Sequence, residues 1–406
     1  MQEVIVLGGG ASGMTAAICA ARNGSRVMLL EKGTKLGRKI AASGNGKCNL
    51  TNAAIEPKFY HNAYPTELGK ILRVADRDAI LAFMKSIGVH CKEKRGYYYP
   101  MSEQAAVVVQ MLQAELEHLQ VKVVMEERLV DVVHENNCFC VITDKAKYKC
   151  RKLILSCGGR AADKLGGEDT GYRLLQKLGH TVNDIEPALV QLIAKERYIK
   201  KIAGVRTEAK IRLKTKSASY SEEGEIIFTE NGISGIPVFQ LSRYVTEALK
   251  RKDSVQLVVD VLPQCNINDM LAEMLLLAEH NRELPLEYLF RSFCNHKLVY
   301  AVICELGLKA DLSCRFVKQA EIKKIVHALK EIVFTITGTN GFEQAQVTKG
   351  GVPLDELMPE TMESKKYPGL YITGELVDVD GICGGYNLHF AWASGILAGT
   401  AAAVKE

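Results

Sequence analysis

The sequence lacks any apolar run of the roughly 18 residues that a membrane-spanning helix needs. The apolar stretch at 255–262 is interrupted by Gln256 and Asp260 and predicts a strand instead. A secretory signal is lacking too, because Glu3 stands where such signals carry positive charge and the first apolar run ends in glycines. We therefore expect a cytoplasmic protein that makes no contact with a membrane.

A large excess of one charge is also missing. The chain has 52 lysine and arginine residues against 47 aspartate and glutamate residues, which gives a net charge of +5 on 406 residues. So small an excess is not typical of a nucleic-acid-binding protein. We therefore expect a small-molecule substrate rather than an RNA or DNA partner.

The cysteines have no metal-binding or redox spacing. There are 12 of them, the closest pair is Cys138 and Cys140, and no C-x-x-C occurs. Without zinc spacing or an export signal they are expected to be reduced thiols, and no metal site is predicted.

The organisation of the chain predicts an α/β protein with an insertion. A length of 406 residues favours two or three domains. Alternating strands and helices fill 1–186 and return at 341–406, which predicts one nucleotide-binding domain built from both ends of the chain. The intervening residues 187–340 are predicted to form a second domain, β-rich over 187–264 and helical over 265–333.

The first 31 residues predict a strand, a helix and a second strand with a dinucleotide-binding turn. Gly8, Gly10 and Gly13 fit G-x-G-x-x-G: the first allows the tight turn, the second lets a pyrophosphate approach, and the third lets the helix pack on the sheet. Glu31 ends the second strand, 18 positions after Gly13, where a carboxylate can accept both ribose hydroxyls of an adenosine. Because that carboxylate would repel a 2′-phosphate, NADP is disfavoured here, which leaves NAD or the ADP half of FAD.

A second glycine-lined region precedes the last predicted helix, at about 388–403. An apolar strand at 370–373 is followed by the glycine-rich loop 374–385. Backbone amides there offer a second place to meet a ligand. One cofactor with two distant ends explains both regions, which favours FAD.

Four stretches of the sequence then carry a family resemblance. Residues 37–52, 228–235, 341–351 and 374–387 resemble conserved stretches of the BaiN/YhiN-like flavoproteins, also called aminoacetone-oxidase-family FAD-binding enzymes. The matches extend from residue 4 to about 399. The resemblance implies an NAD(P)/FAD-dependent oxidoreductase with non-covalent FAD. It also implies a Rossmann-like, glutathione-reductase-like FAD-binding domain with an inserted β-barrel-like and helical domain.

The resemblance also implies the residues that contact FAD. The AMP half is assigned to Gly8, Gly10, Ala11, Ser12, Gly13, Glu31 and Lys32, with Val130 at the adenine and Gly159 shaping the nucleotide pocket. The pyrophosphate and flavin are assigned to Arg38, Lys39, Ser43 and Gly44. The ribityl chain and flavin ring are assigned to Gly374, Glu375 or Asp380, Gly385, Tyr386 and Asn387.

Candidates for catalysis are fewer, because a flavin carries hydride chemistry itself and the protein orients it. His389 begins the last predicted helix, Tyr97 stands in a run of three tyrosines that could line a pocket for a flat apolar molecule, and Cys48 lies in a cofactor loop. Each of the three residues also fits a purely structural role. Without C-x-x-C, a disulfide reductase is not expected.

Three functions remain open from the sequence. The first is NAD(P)H-dependent reduction of an activated carbon–carbon double bond, with a steroid-like or bile-acid-like 3-oxo enone as one candidate substrate. The second is oxidation of small amines or amino acids by O₂. A second G-x-G-x-x-G is missing, which favours the oxidase or a transient visit by NAD(P)H. The third is a flavoprotein that acts on RNA, against which the small net charge argues.

Overall fold

The computed structural model describes residues 2–403. Its α-helices are α1 (Ala11–Arg22), α2 (Arg38–Ala42), α3 (Pro65–Val74), α4 (Arg77–Ser86), α5 (Ala105–His118), α6 (Thr170–Lys177), α7 (Ile236–Lys250), α8 (Ile267–His280), α9 (His296–Glu305), α10 (Gln319–Lys330), α11 (Gly341–Gln344) and α12 (Tyr386–Ala402). None of the helices in this described part is both long and apolar enough to cross a membrane.

The strands in the same residues are between 2 and 10 residues long. They are β1 (Gln2–Leu7), β2 (Val27–Glu31), β3 (Thr51–Asn52), β4 (Tyr60–His61), β5 (Cys91–Lys94), β6 (Tyr97–Pro100), β7 (Lys122–Met125), β8 (Leu129–Glu135), β9 (Cys138–Thr143), β10 (Lys147–Leu155), β11 (Asn183–Ala188), β12 (Leu192–Ala194), β13 (Arg206–Lys214), β14 (Ser219–Phe228), β15 (Gly232–Ser234), β16 (Val255–Asp260), β17 (Ile332–Thr339), β18 (Val347–Gly351), β19 (Leu357–Met358), β20 (Glu363–Ser364), β21 (Leu370–Ile372) and β22 (Asp380–Gly381).

The chain divides into two compact units. The first contains the residues up to Glu186 and those from Gln346 onward, and the second is Pro187–Ala345. The first unit is built on a parallel sheet in which β21, β10, β1, β2 and β7 lie side by side. Its strands read as nearly continuous apolar runs because helices cover them, and Val4, Ile5 and Val6 are fully buried. The predicted α/β, Rossmann-like fold is confirmed.

The first and last helices of the first unit cross at very short range. Small residues make this possible: a Cβ added to Gly395 would lie 2.5 Å from the carbonyl oxygen of Ser12, and one added to Gly399 would lie 2.2 Å from that of Ala16. The two glycines are four positions apart and therefore share one face of α12. The two ends of the chain are joined by this contact.

Substituting Gly399 with valine is expected to destabilise the first unit by about 2 kcal/mol, because a side chain forced against backbone overpacks a close-packed contact. Thr400→Val is the matched control, since Thr400 is the exposed neighbour on the same helix. Urea unfolding measures both variants. Equal midpoints for the two proteins would contradict the close approach of the helices.

The second unit contains a closed barrel and a helical part. The barrel order is β12-β15-β14-β13-β16-β17, closed by pairing of β12 with β17. Strands β13 and β14 form its longest hairpin, in register from Arg206 with Ile227 to Lys214 with Ser219. Helices α8, α9 and α10 follow β16 in the chain. The predicted β-barrel-like and helical character is thus confirmed.

Two details differ from the predicted secondary structure. The segment predicted to be β-rich, 187–264, also contains helix α7 at Ile236–Lys250. Its signal is the proline at 237, suited to a first helical turn, with buried Val238, Leu241 and Val245 at helical spacing. Helix α10 ends at Lys330, so Val333 lies in β17 rather than in a helix.

Candidate flavin site

The turn between β1 and α1 has the geometry that the glycine pattern predicts. Gly8 has a φ of +105°, and a Cβ there would lie 2.3 Å from the carbonyl oxygen of Ser156. A Cβ on Gly13 would lie 1.9 Å from the oxygen of Gly8, whereas nothing lies within 4 Å of one on Gly10. Helix α1 has no side-chain cap at its N-terminus. The turn therefore presents unpaired amides to open space.

The carboxylate of Glu31 is held beside this turn. Its Oε2 accepts a hydrogen bond of 2.7 Å from the amide of Gly9, and its Oε1 accepts one of 2.7 Å from the amide of Gly33. Each oxygen keeps lone pairs for further donors, because an ionised carboxylate has about four acceptor sites. The side chain is fixed in orientation and can still accept ribose hydroxyls.

The predicted basic residues Lys32 and Arg38 form polar contacts with the segment 164–168. The ammonium of Lys32 lies 2.7 Å from Glu168, and a guanidinium nitrogen of Arg38 donates to the carbonyl of Lys164 at 2.5 Å. Glu168 also pairs with Arg128 at 3.2 Å. The sequence did not point to Glu168, because no local pattern distinguishes it from other acidic residues.

Two other predicted residues, Lys39 and Gly159, lie at the carboxylate of a third, Glu375. The ammonium of Lys39 donates to Glu375 Oε2 at 2.9 Å and to the carbonyl of Gly159 at 3.2 Å, while Glu375 Oε1 accepts from the amide of Thr348 at 3.1 Å. A Cβ on Gly159 would lie 2.3 Å from Thr348 Oγ1. Thr348 was not singled out from the sequence, although it lies in the matched stretch 341–351.

The loop after α2 begins at the predicted residue Ser43 and turns sharply at the next two residues. Ser43 donates through its hydroxyl to the carbonyl of Ile40 at 2.7 Å. Gly44 and Asn45 both have left-handed backbone, with φ values of +55° and +54°. Glycine and asparagine are the residues that tolerate this conformation best.

The predicted flavin end meets the opening turn. A Cβ on Gly374, whose φ is +63°, would lie 2.7 Å from Ser12 Oγ. The amide of Gly374 donates to Ser394 Oγ at 3.0 Å, which fixes the strand end against α12. The first and last parts of the predicted site are therefore in contact through Ser12 and Gly374.

The start of α12 is organised by two asparagines. Asn387 accepts from the amide of Gly381 at 2.8 Å and donates to its carbonyl at 2.7 Å. Asn49 Oδ1 is buried and has no hydrogen-bond partner within residues 2–403, and a Cβ on Gly385 would lie 2.8 Å from it. A buried acceptor without a donor is costly, so this oxygen is suited to a donor from a bound group.

Three more assigned residues are Asp380, Tyr386 and Val130. Asp380 is buried in β22, where it pairs in register with His61. Tyr386 is buried, its ring centroid lies 5.1 Å from that of Phe59, and burial raises its pKa to about 12. Val130 is 60% exposed and lies at the register shift of β8.

The catalytic candidates lie in different environments. His389 is fully buried, its Nδ1 lies 2.8 Å from Thr51 Oγ1, and burial lowers its pKa to about 4. Cys48 is also fully buried, and burial raises its pKa to about 12, so it is a neutral thiol. Tyr97 is half-buried on β6 beside Gly384, which lies in the loop before α12.

These residues fit an FAD on the protein's own geometry. The uncapped turn at Gly10 and the oriented Glu31 suit the pyrophosphate and ribose of an adenosine. The orphaned oxygen of Asn49 at the other end suits a hydrogen-bond donor. Ser12 lies against Gly374, so the turn after β1 meets the start of the glycine-rich loop that precedes α12.

A protein-family comparison decides the assignment. The model described as the HI0933-like protein Rossmann domain matches residues 2–401. The chain belongs to the HI0933-like family. The family resemblance read from the sequence is thereby confirmed, and the HI0933-like chain is an FAD-dependent oxidoreductase.

Relatives of this HI0933-like chain carry two different names. It is 39% identical over 412 residues to the 3-dehydro-bile acid delta(4,6)-reductase of Clostridium scindens, with all of both chains covered. It is 29% identical over 398 residues to the ribosomal RNA dihydrouridine synthase of Haemophilus influenzae, covering 97% of this chain and 96% of the relative.

A solved structure of similar fold extends the comparison. It is the 3-ketosteroid-delta4-(5alpha)-dehydrogenase of Rhodococcus jostii RHA1, in complex with 4-androstene-3,17-dione. The TM-score is 0.51 at 16% identity, with 100% of this chain and 97% of that chain covered. This likeness shows a shared fold for the HI0933-like chain.

Proposed function

We propose that this flavoenzyme reduces a carbon–carbon double bond conjugated to a carbonyl group, with NAD(P)H as a transient reductant and a 3-oxo steroid or bile-acid enone as substrate. The observation that carries the proposal is the 39% identity, over the whole of both chains, to a relative named as a 3-dehydro-bile acid reductase. A delta(4,6) dienone and its 3-oxo group form one conjugated system, which makes the distal carbon electrophilic.

The residues that we propose to hold FAD are those the structure gathers into the first unit. Glu31 would accept from the ribose, and the amides of the turn at Gly10 would bind the pyrophosphate. Lys39 would add positive charge, which Glu375 fixes in place at 2.9 Å. Asn49 would accept a hydrogen bond near Gly385. FAD, when bound, supplies hydride transfer, and these side chains orient it.

An anaerobic screen tests the proposal. NADH or NADPH is expected to bleach the flavin absorbance of the holoenzyme, and a 3-oxo-4-ene steroid is expected to restore it with formation of the saturated product. The saturated 3-oxo steroid is the matched control, because it keeps the carbonyl and lacks the double bond. Bleaching by small amines alone, with peroxide formed on reoxidation, would instead identify the oxidase.

A second substrate is favoured by one specific observation. The relative that is 29% identical to this chain is named as a ribosomal RNA dihydrouridine synthase. Reduction of the uracil 5,6 double bond, which is conjugated to a carbonyl, is the same type of reaction as reduction of an enone. The test is to incubate unmodified ribosomal RNA with holoenzyme and NADPH and to measure dihydrouridine. Its formation would identify RNA rather than a steroid as the substrate.

A further inference from the structure

A depression of about 200 Å³ lies on the first unit beside the predicted flavin end. We call it the basic pocket. It is lined by Lys47, Lys94, Arg95, Tyr97, Tyr99 and Glu103. None of the residues assigned above to FAD lines it.

A hairpin builds one wall of the basic pocket. Strands β5 and β6 pair in antiparallel register, with Lys94 opposite Tyr97. The two-residue turn between them has φ values of +55° at Arg95 and +84° at Gly96. Alternation along β6 directs Tyr97 and Tyr99 to the same face, so both rings line the pocket next to the cations.

The pocket carries an excess of positive charge. Its one carboxylate, Glu103, lies 3.2 Å from the ammonium of Lys47 and 2.8 Å from that of Lys92. Hydrogen bonds to these two lysines lower the pKa of Glu103 to about 2, so it is ionised and already paired. Among the residues described, no ion pair engages Lys94 or Arg95. Two cations are therefore available to an anion.

The basic pocket adjoins the glycine loop before α12. A Cβ on Gly384 would lie 3.0 Å from Cε1 of Tyr97. The side-chain Nδ2 of Asn52, a residue that pairs in register with Tyr97, donates to the carbonyl of Gly384 at 2.9 Å. The ring of Tyr97 thus lies both in the basic pocket and against the loop that we propose to hold the flavin end.

We propose that Lys94 and Arg95 bind the anionic group of a flat reactant, with Tyr97 and Tyr99 packed against its apolar body. The anion is a carboxylate of an acidic enone or a phosphate of the nicotinamide nucleotide. Guanidinium and ammonium groups recognise both anions, and tyrosine rings suit flat hydrophobic molecules. This inference rests on the proposed function for the identity of the reactant, while the binding itself needs no turnover.

Calorimetric titration of the oxidised holoenzyme tests the assignment. The probes are 3-oxo-4-cholenoic acid, its uncharged methyl ester, and NADP⁺. In Lys94→Ala/Arg95→Ala, the dissociation constant of at least one anionic probe is expected to rise about 10-fold or more, because charge-assisted hydrogen bonds are lost. The methyl ester should bind within about 2-fold of wild type, since its body keeps both tyrosines.

The control is Lys149→Ala/Arg151→Ala, which removes the same two charges from exposed positions of β10. A loss confined to the cholenoic acid identifies the substrate carboxylate, and a loss confined to NADP⁺ identifies the nucleotide phosphate. Unchanged affinity for both anions, or an equal loss in the control, overturns the inference even if the enzyme reduces enones. Selective loss of anion binding without enone reduction keeps the inference and refutes the proposed function.

Discussion

Glu31→Arg is expected to give protein that purifies without FAD and takes it up at least about 100-fold more weakly than wild type. The wild-type carboxylate is oriented by two amides at 2.7 Å and points its remaining lone pairs away from them. Two charge-assisted hydrogen bonds to ribose hydroxyls are worth about 3 kcal/mol together. Arginine removes both acceptors and adds bulk. Fluorescence quenching of added FAD measures the dissociation constant.

Glu3→Gln controls for the loss of a carboxylate on the same sheet. Glu3 accepts from the amide of Arg26 at 2.6 Å, at the opposite end of β1 and β2, so it also fixes a backbone amide. Circular dichroism of both variants reports whether the first unit has folded. A folded Glu31→Arg protein with normal FAD content would refute the ribose contact.

The parts of the site that sequence reasoning could predict are those set by local backbone rules. The turn at Gly8 needs a positive φ, and Gly13 lies too close to the backbone of Gly8 to carry a side chain. Both glycines can therefore be predicted from a short sequence motif. Glu31 can be predicted because the second strand, which has neighbours on both sides in the parallel sheet, ends at that residue. A cofactor that reaches two distant regions, which favours FAD, could be predicted for the same reason, because glycines also mark the second region.

The parts that could not be predicted depend on contacts between distant segments. Glu168 forms an ion pair with Lys32, which is more than a hundred positions away in the sequence. Thr348 packs against Gly159, which is also more than a hundred positions away. No local pattern marks such partners, because any surface acid or threonine looks the same in sequence. Helix α7 was missed for another reason, since strands flank it on both sides and its helical spacing was read as part of them.

His389 shows how burial sets the protonation of a side chain. It is fully buried, with Nδ1 2.8 Å from Thr51 Oγ1. Burial lowers its pKa from 6.5 to about 4, against weaker opposing effects from the backbone of Ala75 and the charge of Asp76. The ring is therefore neutral in the folded protein at pH 7, which is consistent with a structural role in joining β3 to α12.

This burial should make the protein acid-sensitive. Between its unfolded pKa of 6.5 and its folded pKa of about 4, His389 binds a proton in the unfolded state only, so stability falls as the pH drops through that range. The loss from about pH 7.5 to about pH 4 is about 3 kcal/mol. His389→Asn keeps a polar atom near Thr51 but cannot titrate. Urea unfolding should therefore show a shallower pH dependence in this variant, although its stability at neutral pH is lower. Parallel pH profiles for the two proteins would mean that other groups, such as buried His180, govern the acid response.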